Sequence, residues 1–226
     1  MSGNSKYLDY CNEIIYRINE NEKITFTIHE FGFTNALHNL VQGYHDCDES
    51  QRLIVKETLE KSVDLILSYL MPISFQRKDF TLLPTEVVGN LISTSEKITY
   101  SEGDLHIAFL LLKVAILLKN ERLFHLANMI GTASVYNNEN VESDILTSSF
   151  EDRAIGVALI YQSMFFLTNI EFYKSQSEYW YSKMKNQLDD FASEILSETL
   201  YEIKNAIDSF ENPENSVWRE KYFLEF

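Results

Sequence analysis

The sequence predicts an all-α fold: a multi-helix bundle of antiparallel helical hairpins. Three observations carry the prediction. Between Leu105 and Leu118 only His106 and Lys113 are polar, and a helix apolar nearly all round must be covered on most sides. The 226 residues include only 7 Gly and 3 Pro, so few breakers separate the elements. Apolar residues recur at spacings of three and four on either side of the central run.

The central run is rich in Leu and Ala and too long for an ordinary strand. Asp104 stands where an N-cap would. The run from Ile107 to Leu118 is about 12 residues with Lys113 in its middle, short of the roughly 18 to 20 needed to span a bilayer. After Lys119 and Asn120 a second helix is marked by Leu123, Phe124, Leu126, Ala127 and Ile130. A join this short makes an antiparallel hairpin.

Upstream, Tyr7, Leu8, Cys11, Ile14, Ile15 and Ile18 share one face of a helix over Lys6 to Asn19. Ile24, Phe26 and Ile28 alternate with Thr25 and Thr27; with no second run to pair with, they read as an extended link or a helix start. Thr34 caps a helix burying Leu37, Leu40, Val41 and Tyr44, and Gly43 to Glu49 forms a turn. Asp48 with Gln51 makes a capping box for a long helix ending before Pro72. Pro84 suits a first helical turn, which places a shorter helix over Thr85 to Lys97.

Downstream, residues 137–149 are polar and read as a surface loop, and Ser148 with Glu151 opens a helix over Phe150 to Leu167. Helices over Glu171 to Gln187 and Leu188 to Phe210 follow, stopped by Asn212 and Pro213. The tail carries Trp218, Tyr222, Phe223, Leu224 and Phe226, too many large apolar groups to float free, so it is expected to dock. Leu118-Lys-Asn120-Glu-Arg-Leu123-Phe124 echoes Leu167-Thr-Asn169-Ile-Glu-Phe172-Tyr173 at an offset of 49. Asn tolerates the left-handed turn at a helix end, which gives the echo a mechanism and raises HEAT-like or TPR-like stacking as an arrangement. The expectation is one domain over 1–226, with a subdivision at 1–100 and 101–226.

Net charge is −15, which argues against nucleic acid and anionic membrane as partners and permits a basic protein. Two cysteines, Cys11 and Cys47, give neither a disulfide framework nor a metal spacing, and the N-terminus has no apolar signal core, so a cytoplasmic location is expected. No phosphate loop, dinucleotide fingerprint, nucleophile elbow or zinc-protease motif is present. His38, His45, Asp46 and Cys47 come nearest to a metal group. His38 and His45 are two helical turns apart, about 10 Å along the axis, too far for one ion, so they read as a surface cluster. No catalytic, cofactor or metal residues are assigned.

Residues 188–226 hold ten acids against three bases. Asp190, Glu194, Glu198 and Glu202 step by four along the last long helix, where like charges gain nothing in stability. Tyr179, Trp180 and Tyr181 precede them; three consecutive rings span about 200° of helix, so at least one is expected near the surface or at an inter-helix seam. These seven residues form the expected docking surface for a basic partner. In size, acidity and lack of catalytic motifs the chain is similar in composition to bacterial immunity proteins, which neutralise toxin domains; no diagnostic motif accompanies the likeness. Two alternatives stand beside this reading. One is an enzyme or small-ligand binder with a pocket built from residues such as His106, Lys113, His125 and Tyr161. The other is a helical-repeat adaptor.

Overall fold

The structure, a computed structural model, describes residues 5–20, 24–26, 33–70, 82–93, 103–135, 154–191, 197–214 and 219. Over these residues the chain is mostly helical, with eight α-helices and a small sheet. One buried apolar cluster runs from Cys11 to Ala206.

The first layer is α1 (Ser5–Glu20), α2 (Phe33–Gly43) and α3 (Glu49–Ser68), mutually packed. Cys11 and Ile14 lie at the centre of the apolar face of α1. The capping box that opens α3 is formed on both sides: Gln51 N donates to Asp48 Oδ1 at 3.0 Å, and Asp48 N donates to Gln51 Oε1 at 3.2 Å. A 3-10 turn, Tyr44–Asp46, joins α2 to α3.

Ile24 to Phe26 is extended rather than helical, and it does have a partner, one that is remote in sequence. Strand β1 (Ile24–Thr25) pairs antiparallel with β2 (Glu86–Val88), and β2 pairs with β3 (Leu91–Ser93). The helix expected over Thr85 to Lys97 is therefore not formed across 86–93. Its place is taken by a hairpin turning at Gly89, φ +56°, a left-handed conformation that glycine adopts at little cost. Two valines before the turn and Ile92 after it favour strand over helix. Val87 and Ile24 bury one side of the sheet.

The second layer comprises α4 (Asp104–Leu118), α5 (Glu121–Ala133), α6 (Ala154–Thr168), α7 (Glu171–Phe191) and α8 (Ser197–Glu211). On α4 every residue from Asp104 to Ala115 except Lys113 is buried, as expected, while Ile116 is exposed. Sharing that central place is α6, buried continuously from Ala154 to Tyr161. It packs against α4, α7 and α8, while α4 also meets α2, α3 and α5.

Asp104 is not the cap of α4; Gly103 holds that position with φ +94°. The Asp104 carboxylate instead accepts the main-chain N–H of Leu82 at 2.6 Å and of Leu83 at 2.9 Å, tying the segment before the β-hairpin to the start of α4.

The two helical hairpins are offset by 50 residues, not 49. Asp104 corresponds to Ala154, Leu118 to Thr168 and Glu121 to Glu171. The left-handed residues are Lys119 (φ +53°) and Asn169 (φ +55°). Asn120 instead caps α5, its Oδ1 accepting from Leu123 N at 3.0 Å. The echo thus aligns two asparagines that do different jobs. The buried residues agree at the new offset: Leu123, Ala127 and Ile130 on α5 answer to Tyr173, Ser177 and Trp180 on α7.

Candidate functional site

The apolar stripe of α7 passes through Tyr173, Ser177, Trp180, Met184 and Leu188, with the first four buried and Leu188 half-buried. Steps of four, three, four and four keep the stripe on one face past Gln187, which is why the helix continues to Phe191 and Leu188 does not begin a new one. This corrects the expected boundary, and it divides the acidic ladder. Asp190 belongs to α7, Glu198 and Glu202 belong to α8, and Glu194 lies outside the described residues. Glu202 is half-buried.

The three consecutive aromatics separate as helical geometry requires. Trp180 is fully buried, with its ring edge-on to Tyr179 at 5.5 Å, so it is a core residue and not part of any surface. Tyr179 is 52 % exposed. Tyr181 is half-buried and lies on Phe210 of α8, ring centroids 4.1 Å apart. Its hydroxyl bonds Glu211, which also receives Lys185 Nζ at 3.2 Å. The Tyr181 hydroxyl and then the Lys185 ammonium hold the Glu211 carboxyl below the usual carboxylate range.

Tyr201 on α8 was missed as a surface aromatic, and it is 65 % exposed. The signal was present in the sequence. Leu200, Ile203, Ile207 and Phe210 make the inward stripe of α8, and Tyr201 falls off it. Asp208 at i+7 places an acid along its side of the helix, and Asp208, Glu211 and Glu214 are all exposed.

Of the tail, Arg219 is described and does dock; Trp218, Tyr222, Phe223, Leu224 and Phe226 lie outside the described residues. The Arg219 guanidinium donates to Ser163 Oγ at 3.0 Å and to the Ser209 carbonyl at 3.1 Å, bonds Gln162, and lies 5.9 Å from the Phe166 ring. Burial lowers its pKa to about 10, which leaves it charged at neutral pH.

Among the residues considered for a pocket or metal site, His38 is the principal correction. It is 1 % exposed, in the core on α2, and not on the surface. The wrong expectation came from grouping it with His45, which is exposed on the 3-10 turn. His106 on α4 is likewise buried. Burial, then Lys113, then His106 lower the His38 pKa well below the usual histidine value. Burial brings His106 down to about 3, opposed by the Phe26 main chain, so both rings are neutral inside the protein. Lys113 is half-buried and its ammonium lies 5.4 Å from the Phe109 ring centroid. His125 is exposed on α5, whereas Tyr161 is buried and shares a 2.9 Å hydrogen bond with Ser134. The four residues suggested for a pocket thus differ in exposure: His106 and Tyr161 are buried, Lys113 is half-buried and His125 is at the surface. No group of three metal-binding side chains occurs among the described residues, and no described helix is long and apolar enough to cross a membrane.

No protein-family model, curated protein or solved structure matches this chain.

Proposed function

We propose that the protein is a non-enzymatic binding domain whose acidic C-terminal helices receive a basic protein partner, in the manner of an inhibitor that masks a toxin or nuclease domain. The observation that supports this most strongly is Tyr201, a large aromatic 65 % exposed on a helix that also carries Glu198, Glu202, Asp208 and Glu211. An exposed aromatic supplies the apolar centre that an interface needs, and surrounding charge governs encounter rate and partner choice. Tyr179 adds a second exposed ring on α7. Trp180 no longer belongs to the surface, and Tyr181 contributes a contact to α8. Asp190 and Glu194 add charge to the same stretch of chain. The protein acts where that partner is found, which on this reading is the cytoplasm.

The test is capture from cells of the native source at low and high salt, using the wild-type chain and a variant with Glu194, Glu198 and Glu202 changed to Lys. A basic protein retained at low salt by the wild type alone supports the reading. Equal capture by both chains reduces the acidic face to a solvated surface.

A ligand-binding reading has one observation in its favour: two buried neutral histidines, His38 and His106, with Lys113 near His38, on packed helices α2 and α4. Retention of a small molecule in place of a protein would favour it. The repeat-adaptor reading draws on the two hairpins 50 residues apart.

A further inference from the structure

The chain's two cysteines are distant in sequence and face one seam in the fold. Cys11 lies on α1 one turn after Tyr7, so the two side chains share a helix face. Tyr7 is packed directly on Gly43 at the end of α2: a Cβ added to Gly43 would fall 1.8 Å from Tyr7 Cε1. The Tyr7 hydroxyl continues to Asp46 Oδ2 at 3.2 Å. Cys47 follows Asp46 and turns back, its Sγ donating to the Gly43 carbonyl at 3.3 Å. Tyr7 and Cys11 on α1 therefore run alongside Gly43 and Cys47 at the α2–α3 junction. Cys11 and Cys47 are each 2 % exposed. Burial and then Cys11 push the Cys47 thiol pKa up, while the Cys11 thiol is hydrogen-bonded with Thr58 of α3.

We propose that Cys11 and Cys47 are a disulfide-forming pair that locks α1 to the α2–α3 junction, with glutathione disulfide as oxidant. A Cys47 thiolate attacks one sulfur of glutathione disulfide, and one glutathione thiolate leaves. A Cys11 thiolate then attacks the Cys47 sulfur of the mixed disulfide, and the second glutathione thiolate leaves. The protein gives up two protons and two electrons; glutathione disulfide takes them and becomes two thiols. Burial raises the pKa of both thiols, so exchange is slow in the closed protein and proceeds through local opening at α1. This inference is independent of the acidic face.

The test is an equilibrium measurement on the full chain. The protein is equilibrated in buffers of reduced and oxidised glutathione, starting from the reduced and the oxidised state, in native buffer and in full denaturant. Intact mass then counts the chains that are about 2 Da lighter, having lost two hydrogens. A fold that brings the sulfurs together favours the disulfide, so the glutathione ratio giving half oxidation should shift at least about tenfold between native and denatured protein, toward easier oxidation in the native state. Peptide mapping should find Cys11 joined to Cys47, and the Cys11→Ser and Cys47→Ser variants should carry only a glutathione adduct. An equal or reversed ratio in the native protein, or native protein that accumulates only glutathione adducts, overturns the proposal.

Discussion

Tyr181 of α7 lies face to face with Phe210 of α8, ring centroids 4.1 Å apart and planes within 13°. Among the described residues no other ring pair joins these two helices. α8 packs chiefly on α6, where Gln162 Nε2 donates to the Phe210 carbonyl at 2.9 Å, and the stack adds a contact to it from α7. Tyr181→Ala should lower stability by about 2 kcal/mol, combining lost burial with the loss of a ring pair worth roughly 0.5–1.5 kcal/mol. Tyr181→Phe should retain most of it. Urea unfolding and hydrogen exchange at α8 amides measure both, and unchanged α8 protection in the alanine variant would show that the stack does not hold the helix.

Neighbouring rings on α7 should behave oppositely. Trp180→Ala should cost about 3–5 kcal/mol, because it empties a fully buried site. Tyr179→Ala should change stability by less than about 0.5 kcal/mol, since its ring is 52 % exposed. Thermal or urea unfolding of the two variants checks the assignment of inward and outward faces.

Gly43→Ala should destabilise. At an ordinary helical position this change gains up to about 1 kcal/mol. Here the new Cβ would fall 1.8 Å from the Tyr7 ring, and overpacking of this kind costs about 1–3 kcal/mol. Pairing it with Tyr7→Ala should recover part of the loss. A stabilised single variant in a urea titration would mean that Tyr7 does not occupy that space.

Buried titratable groups give opposite pH dependences. His106 has a folded pKa of about 3, below its ordinary 6.5. The unfolded chain takes up the proton first as pH falls, so this stability is present above about pH 6.5 and is lost as pH falls toward 3. Burial raises Asp104 to about 7 from 3.8, against its two N–H bonds, so its contribution is full below about pH 4 and falls as pH rises to 7. Stability curves from pH 4 to 8 should therefore flatten on the acid side in His106→Gln, and lose their decline between pH 4 and 7 in Asp104→Asn. Parallel wild-type and variant curves would contradict the burial of these groups.

The helices were legible where one local signal decided them. Asp48 and Gln51 announce α3 by their spacing, and the run from Leu105 announces α4 by leaving no polar face. The β-hairpin was obscured because Pro84 suits a helix start, while Val87, Val88 and Gly89 carry the opposing preference for strand and turn. Strand β1 needs a partner about 60 residues away, and local periodicity does not specify such pairing. His38 was read from its neighbours in sequence, whereas its place in the core follows from the packing of α2 on α4. In the acidic stretch the charge was visible in the sequence. Which aromatics face outward depended on the reach of the α7 stripe to Leu188 and on the inward stripe of α8.

The most direct test of the acidic surface is the association rate of the captured partner with the wild-type chain, the Glu194, Glu198 and Glu202→Lys variant, and Tyr201→Ala. For the wild type, the rate should fall steeply between low and physiological salt. The lysine variant should associate at least about tenfold more slowly with a flattened salt dependence, and Tyr201→Ala should mainly speed dissociation. Rates and salt dependence shared by all three proteins would place the working surface elsewhere on the molecule.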